Sequence, residues 1–145
     1  MTRAHVLAAT AADAESIAAA DAACFAGAAW TPPQVESELL RAGAIALVLR
    51  NHDAVLGYAL GWCLAAEGEL LRIAVMPSAR GVGHGATLLQ AFQRASEADA
   101  LFLEVNAENT AARSLYSRNG WLKVGVRRAY YRNGDDAVLM AWRTA

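Results

Sequence analysis

The sequence of 145 residues predicts an α/β fold: a mixed central sheet of about seven strands, flanked by about four helices on its two faces. Strand-like apolar runs and helix-like segments alternate in the order β-αα-βββ-α-β-α-ββ. A glycine-rich turn joins the central strand to the helix after it. No repeat, linker or low-complexity tract divides residues 1–145, so we expect a single domain.

Two helices are predicted after a short first strand, His5 to Ala9. Thr10 and Asp13 have the spacing of a capping box, and the helix they begin runs to about Phe25. Ile17, Cys24 and Phe25 are its predicted inward side chains. The segment Thr31-Pro-Pro-Gln34 is a stronger start signal, because it combines an N-cap threonine, a proline in the first turn and a glutamine that reaches back.

The second helix is expected to run to about Arg41, with Val35 and Leu39 inward and Gly43 as its stop. Beyond it the sequence predicts strands joined by turns and two further helices. Asn109 is a predicted helix N-cap, and Gly120 the matching C-terminal glycine. The predicted strands are Ile45–Arg50, Val55–Ala65, Leu70–Val75, Leu101–Val105, Trp121–Arg127 and Ala137–Trp142, with turns at Asn51–Asp53 and Asn133-Gly134.

Composition excludes several classes of function. The net charge of −1 gives no broad positive field for direct nucleic-acid binding. No apolar run reaches the ~18 residues of a membrane span, and the first residues lack the apolar core of a signal peptide. Cys24 and Cys63 have no metal-ligand spacing, so we expect no metal and two reduced, buried thiols in a cytoplasmic protein.

The glycine-rich turn predicts a binding site for a phosphorylated ligand, because glycines and a helix N-terminus expose backbone N–H groups. A P-loop is excluded, since no lysine follows Gly85. A dinucleotide fingerprint fits Gly81, Gly83 and Ala86, with Glu104 as its acid, but five residues separate the strand from the first glycine. A third pattern, Arg/Gln-x-x-Gly-x-Gly/Ala, fits Arg80, Gly83 and Gly85.

Further motifs follow this loop in a fixed order along the chain. They are Arg80–Ala86 after its strand, Leu103–Asn109, Ser114–Trp121, Arg127–Tyr131 with Asp135–Met140, and Cys24–Trp30 near the start. Together they resemble the GNAT acyltransferases, and within them the RimI-type ribosomal-protein-alanine N-acetyltransferases, over nearly all of residues 13–140. Relatives usually carry a proline before Trp30 and an acid at Met76, and Arg72 inside the central strand is a further departure.

The resemblance implies transfer of an acetyl group from acetyl-CoA to a protein N-terminal α-amine, by direct transfer in a ternary complex. Glu104 would be the general base, directly or through water, and Tyr116 the general acid. The backbone of Ile73, Ala74 and Val75 would hold the pantetheine arm and polarise the acetyl carbonyl. The pyrophosphate and helix-start contacts would come from Arg80, Gly81, Val82, Gly83, His84, Gly85, Ala86 and Asn109.

The acceptor side is less defined by the sequence. Tyr130 and Tyr131 lie in a basic and aromatic run that predicts either a peptide-binding lip or a surface turn. Trp30 is either a packing residue or part of the peptide slot. The implied partner is a ribosomal protein N-terminus; a small-molecule amine, another protein amine, or a non-catalytic acyl-CoA-binding subunit of a larger complex stay open as alternatives.

Overall fold

The computed structural model describes residues 3–52 and 54–144 and confirms the predicted order of elements. The strands are β1 His5–Ala8, β2 Ala44–Asn51, β3 Ala54–Leu64, β4 Glu67–Val75, β5 Ala100–Asn106, β6 Leu122–Arg127 and β7 Ala137–Arg143. The helices are α1 Ala14–Cys24, α2 Pro32–Leu39, α3 His84–Ser96 and α4 Thr110–Arg118. Asp53, part of the predicted hairpin turn, lies outside the described residues.

The strands form one seven-stranded sheet in the order β1-β2-β3-β4-β5-β7-β6. Every neighbouring pair is antiparallel except β4 and β5, which run parallel. Helix α3 is the crossover between these two strands. The sheet is therefore mixed, as the sequence predicts.

Strands β4 and β5 pair only at their beginnings and then separate. The ladder joins Glu67–Glu69 to Ala100–Phe102 and goes no further. On the other side of β4, Leu60 pairs with Arg72 and Gly61 with Leu70, so one extra residue bulges from β4 at Leu71. Beyond Glu69, the edge of β4 that faces β5 consequently has no strand partner, and a cleft opens in the middle of the sheet.

The core is divided between the two faces of the sheet. On one face α3 packs on β2, β3 and β4, and Leu88, Leu89 and Phe92 are fully buried there. On the other face α1 and α2 cover β2, β3 and β4, burying Ile17 and Val35. This burial of apolar side chains on both faces fixes the strands on either side of the cleft.

The helix starts follow the predicted capping signals. The Thr31 hydroxyl accepts from the Gln34 N–H at 3.3 Å, and the Gln34 side chain accepts from the Thr31 N–H at 2.8 Å. At α1, the Asp13 carboxylate accepts from the Thr10 N–H at 2.8 Å, and a short 3₁₀ turn precedes the helix. Among the described residues, no helix has the length and apolarity needed to cross a bilayer.

Only part of the predicted core face of α1 is fully buried. Ile17 is fully buried, whereas Cys24 and Phe25 are half-buried. They lie at the C-terminal end of α1, where the helix meets the cleft, and line cavities there. A helix face near a binding cleft shows the same apolar spacing as a core face, so spacing alone does not distinguish them.

Candidate functional site

Two adjoining cavities occupy the cleft between β4 and β5. The first, the glycine-loop cavity, has a volume of about 450 Å³. It is lined by Cys24, Phe25, Ile73, Ala74, Val75, Arg80, Gly81, Gly83, His84, Gly85, Asn109, Ala111, Ala112 and Leu115. The lining therefore combines the open edge of β4, the glycine loop and the start of α4.

The glycine loop takes its shape from left-handed backbone at two positions. Gly81 and Gly83 have φ of +89° and +87°, a region that other residues rarely adopt. Gly83 is the N-cap of the thirteen-residue helix α3, and the Thr87 N–H bonds to the Gly83 carbonyl at 3.1 Å. The N–H groups of residues 84–86 precede that bond and lack intrahelical partners. His84 and Gly85 line the cavity, and free N–H groups at a helix start suit an anion.

The end of β4 is fastened to its surroundings through one carbonyl. The Val75 carbonyl accepts from Arg80 Nε at 2.9 Å and from Cys24 Sγ at 3.6 Å. Arg80 thus holds the loop against β4 and also lines the cavity, and its predicted contact with the co-substrate stays a prediction. Cys24 was expected to be a buried core thiol, and the structure instead places it at the wall of this cavity.

Most of the residues predicted to bind the co-substrate line this cavity. Val82 and Ala86 do not: Val82 is exposed at the tip of the loop, and Ala86 is half-buried on α3. Asn109 lines it and also caps α4, because its side chain accepts from the Ala112 N–H at 3.2 Å. The capping role predicted for Asn109 is confirmed.

We expect the change Gly83→Val to weaken acetyl-CoA binding about tenfold or more. A β-branched residue at φ +87° is strained, which displaces the N–H groups at the start of α3, and its side chain points into the open space that the ligand needs. Calorimetric titration with acetyl-CoA measures the effect. Gly134→Val is the matched control, since Gly134 has φ +89° with equally open space around it but lies outside this cavity.

The second cavity, the carboxylate cavity, has a volume of about 640 Å³. It shares Phe25 and Asn109 with the first. The other lining residues are Ala28, Trp30, Glu69, Leu70, Leu71, Arg72, Glu104, Val105, Asn106, Tyr130 and Tyr131. Glu104 and the three predicted acceptor-side residues thus lie around one space that adjoins the glycine-loop cavity.

Glu104 is surrounded by one cation and two tyrosines. Arg127 Nε lies 3.6 Å from a Glu104 carboxylate oxygen, and the two side chains are 57% and 27% exposed. Hydrogen bonding to Glu104, and then its charge, raises the pKa of the Tyr130 hydroxyl. Burial, and then the charge of Glu104, raises the pKa of Tyr131. Both tyrosines are therefore neutral donors at physiological pH.

A second carboxylate, Glu69, lies on β4 in the same cavity. Burial raises the pKa of Glu69, and the charge of Glu104 raises it further. The sequence analysis did not assign Glu69 to the site. The cavity is therefore lined by two acids and by Arg72, whose charge is paired with Asp21, and this balance favours a cationic ligand such as an ammonium group.

The lip segment, residues 127–136 between β6 and β7, is fixed by two aspartates. The Asp135 carboxylate accepts from Asn106 Nδ2 at 3.0 Å, which ties the lip to the end of β5. The Asp136 carboxylate accepts from the Ala129 N–H at 2.8 Å. Tyr130 and Tyr131 stand edge to face with their ring centres 5.1 Å apart. The lip therefore presents its aromatic side chains to the cavity from an ordered turn.

Tyr116 lies in the core and lines neither cavity. It is 7% exposed, and its ring centre is 6.0 Å from that of Trp121. Burial, and then the electrostatic influence of Tyr131, raises the pKa of Tyr116. Its neighbour in sequence, Leu115, lines the glycine-loop cavity, whereas Tyr116 itself belongs to the hydrophobic core.

Sequence reasoning missed a buried polar cluster beside the carboxylate cavity. Asp21 on α1 is completely buried and pairs with Arg72 on β4 and Tyr58 on β3. Burial, and then the bond to Asp21, raises the pKa of Tyr58, which keeps it a neutral donor. The signal was present: Asp21 follows Ile17 by four residues on the apolar face of a helix, and Arg72 interrupts an apolar strand.

Comparison with known proteins gives the family. Residues 14–121 match the model of the acetyltransferase (GNAT) family. The chain is 35% identical over 137 residues to the N-alpha-acetyltransferase RimI of Mycobacterium tuberculosis, covering 90% of this chain and 87% of that protein. It is 36% identical over 120 residues to a putative ribosomal protein bS18-alanine N-acetyltransferase of Bacillus subtilis, covering 79% of each.

One further relative matches over a shorter stretch, and one solved structure matches over nearly its whole length at lower identity. An N-alpha-acetyltransferase of Sulfurisphaera tokodaii is 40% identical over 82 residues, and the match spans 54% of this chain and about half, 49%, of that protein. The crystal structure of the Escherichia coli ribosomal-protein-S18-alanine N-acetyltransferase superposes with a TM-score of 0.89 at 24% identity, covering 97% of this chain and 94% of that one. The latter shows that the fold is shared.

The fold and its cleft define an acyltransferase whose co-substrate is an acyl-CoA. This chain belongs to the GNAT family of N-acetyltransferases. Among its named relatives are the RimI-type enzymes that the sequence motifs resemble.

Proposed function

We propose that this protein transfers the acetyl group of acetyl-CoA to the N-terminal α-amine of a protein, and that the acceptor is a ribosomal protein beginning with alanine. The observation that carries the proposal is the junction of the two cavities at Phe25 and Asn109. It joins an anion-binding loop to a space lined by two carboxylates and two tyrosines. The names of the bS18-alanine N-acetyltransferase relatives supply the acceptor, which implies a cytoplasmic setting.

The glycine-loop cavity fits the shape and charge of acetyl-CoA. The unpartnered N–H groups at the start of α3 suit the pyrophosphate, and the unpaired edge of β4 suits the amide groups of the pantetheine arm. Added Cβ atoms at Gly81 and Gly83 would meet no protein atom and would occupy ligand space instead. When bound, acetyl-CoA supplies an acetyl group activated as a thioester.

Glu104 is the proposed proton acceptor. An α-ammonium has a pKa of ~8, so at neutral pH most of it must lose a proton before its nitrogen can attack. The two carboxylates attract the ammonium into the cavity, and Glu104 takes its proton directly or through one water. Arg127 Nε lies 3.6 Å from the Glu104 carboxylate, on the same side chain that would take the proton.

Tyr116 is the proposed proton donor to the departing thiolate. Because its pKa is raised by burial, it holds its proton throughout the working pH range. Its support is the motif resemblance together with its place on α4, the helix from which Leu115 reaches the glycine-loop cavity.

We expect Tyr116→Phe to lower kcat at least about tenfold, with the affinity for acetyl-CoA unchanged. The sign of the pKa shift adds a pH test. Since the protonated form is favoured beyond the ordinary tyrosine pKa of ~10, Tyr116 should cause no loss of activity below about pH 10. Rates measured from neutral to alkaline pH check this. An alkaline decline centred near ~9 that disappears in Tyr116→Phe would show that the pKa of Tyr116 is not raised, whereas an unchanged kcat in Tyr116→Phe would contradict the assignment.

Mass spectrometry of three acceptors incubated with the protein and acetyl-CoA tests the proposed function. The first is a peptide with a free N-terminal alanine, the second is the same peptide blocked at its α-amine but carrying a free lysine, and the third is a polyamine. We expect the mass of one acetyl group to be gained only by the first. If only the lysine peptide or the polyamine gained an acetyl group, the acceptor would be a side-chain or small-molecule amine and not an N-terminal α-amine. If acetyl-CoA bound but no acceptor were acetylated, the protein would be a non-catalytic subunit of a larger complex.

A further inference from the structure

The side of the carboxylate cavity opposite to β5 is built around one buried ion pair. The Asp21 carboxylate is 0% exposed and receives four hydrogen bonds. Arg72 Nη1 donates to both of its oxygens at 2.9 and 2.7 Å, and the Trp30 N–H donates at 2.7 Å. The Tyr58 hydroxyl is the fourth donor. Asp21 therefore has its full complement of partners and needs no water.

The other end of the Arg72 guanidinium holds the segment that follows α1. Arg72 Nη2 donates to the Ala28 carbonyl at 2.8 Å. The guanidinium carbon lies 4.6 Å from the ring centre of Phe25 and 4.5 Å from that of Trp30. A planar cation that stacks on aromatic rings and bonds along its edges fixes several groups at once.

These contacts stabilise the segment after α1, which has few side chains and few internal hydrogen bonds that could fix its conformation. The wall segment, residues 25–31, carries Ala-Gly-Ala-Ala between its two aromatic residues, and Gly27 has φ +85°. Its one internal backbone bond runs from the Ala28 N–H to the Phe25 carbonyl at 2.9 Å. Phe25, Ala28 and Trp30 all line the carboxylate cavity. The shape of that wall therefore depends on Arg72 and Asp21.

The positive charge of Arg72 is neutralised within this cluster. Asp21 neutralises it, and the Ala28 carbonyl and the two rings occupy much of the remaining guanidinium surface, so its side chain is only 17% exposed. The wall segment contributes apolar and aromatic side chains to the cavity, and Glu69 and Glu104 contribute its carboxylates. An acceptor amine is thereby drawn to the carboxylates and its first side chain to the wall.

We propose that Arg72 and Asp21 are positioning residues that fix the wall segment against the acceptor, and that they thereby set acceptor affinity and the size of the first residue accepted. This inference rests on the proposed function, and in it the Arg72–Asp21 pair gives the acceptor half of that site its shape. Arg72 lines the carboxylate cavity, neither residue of the pair lines the glycine-loop cavity, and of the wall segment only Phe25 is shared by the two cavities. Loss of the ion pair should leave acyl-CoA binding intact.

Steady-state kinetics of Arg72→Lys and Asp21→Asn, with peptides beginning with alanine or leucine, test the inference. Lysine keeps the charge but cannot reach Asp21, Ala28 and both rings together, so we expect the KM for the alanine peptide to rise about tenfold. The preference for alanine over leucine should fall by a similar factor, and the KM for acetyl-CoA should stay within about twofold. Asp13→Asn is the matched control, because it weakens another ion pair of the N-terminal region away from both cavities.

Tyr58→Phe provides a milder variant in case the charge changes prevent folding. It removes one donor to Asp21, retains the ion pair, and should raise the acceptor KM by a smaller factor. Folded variants with unchanged acceptor KM and unchanged preference would overturn the positioning role while leaving the proposed function in place. A parent enzyme that acetylates none of the amines would overturn the proposed function, and this inference with it.

Discussion

Replacing Glu104 by glutamine is expected to lower kcat about 100-fold or more, because a general base typically contributes that much to proton transfer. The change keeps the size of the side chain and removes its ability to take a proton. Glu104 does not line the glycine-loop cavity, so the affinity for acetyl-CoA should be unchanged. The deficit should also narrow as the pH rises through ~8, where the acceptor amine loses its proton to water unaided.

Two other glutamates serve as controls for Glu104→Gln. Glu69 lies in the same cavity but on β4, outside the β5 motif that carries the resemblance to the family's proton acceptor. We expect Glu69→Gln to lower kcat less than about tenfold. Glu108 is exposed and lines neither cavity, so Glu108→Gln should have no effect. A larger loss of kcat in Glu69→Gln than in Glu104→Gln would make Glu69 the general base and leave Glu104 the supporting carboxylate.

The fold could be predicted because its signals are local. Capping residues such as Thr31 and Asn109, the glycine at 83 and the apolar periodicity of each strand act within a few residues of themselves. The structure has these elements in the predicted order, with boundaries shifted by one to three residues. The start of α3 at His84, ahead of Gly85, follows from the left-handed backbone at Gly83.

The site could be predicted only where it is made of such local signals. The glycine loop is one of these, and the position of Glu104 near the end of its strand is another. The separation of β4 from β5 depends on pairing between strands and on the bulge at Leu71, which no short motif records. The same holds for Cys24 and Arg80, whose side chains meet at the Val75 carbonyl only in the folded chain.

Arg72 shows what a sequence pattern leaves undetermined. A charge in an apolar strand indicates that a partner exists, since a buried ion without one is costly. Which of several acids is the partner depends on how α1 lies across β3 and β4. The answer, Asp21, is 51 residues away in sequence and buried on the same face of the sheet. The proposed positioning role follows from that packing, because the pair holds residues that line the carboxylate cavity.

The buried pair should also have a large effect on stability. We expect Asp21→Ala to lower the free energy of unfolding by about 3–5 kcal/mol, the usual cost of removing one partner from a buried ion pair. Arg72 would keep its charge with only 17% of its side chain exposed, and the Tyr58 hydroxyl and Trp30 N–H would lose their acceptor. Urea unfolding measures the change.

The double variant Asp21→Ala with Arg72→Met distinguishes two causes of lost stability, the unpaired charge of Arg72 and the lost packing around Asp21. Since it leaves no unpaired charge, we expect it to be more stable than Asp21→Ala alone, although two donors still lack an acceptor. Asp13→Ala, at a more exposed pair, should cost about 1 kcal/mol. If Asp21→Ala cost no more than Asp13→Ala, the wall segment would owe its order to its aromatic contacts. If the double variant were stable yet poor in acceptor binding, the pair would be retained for the shape of the site and would add little to the stability of the fold.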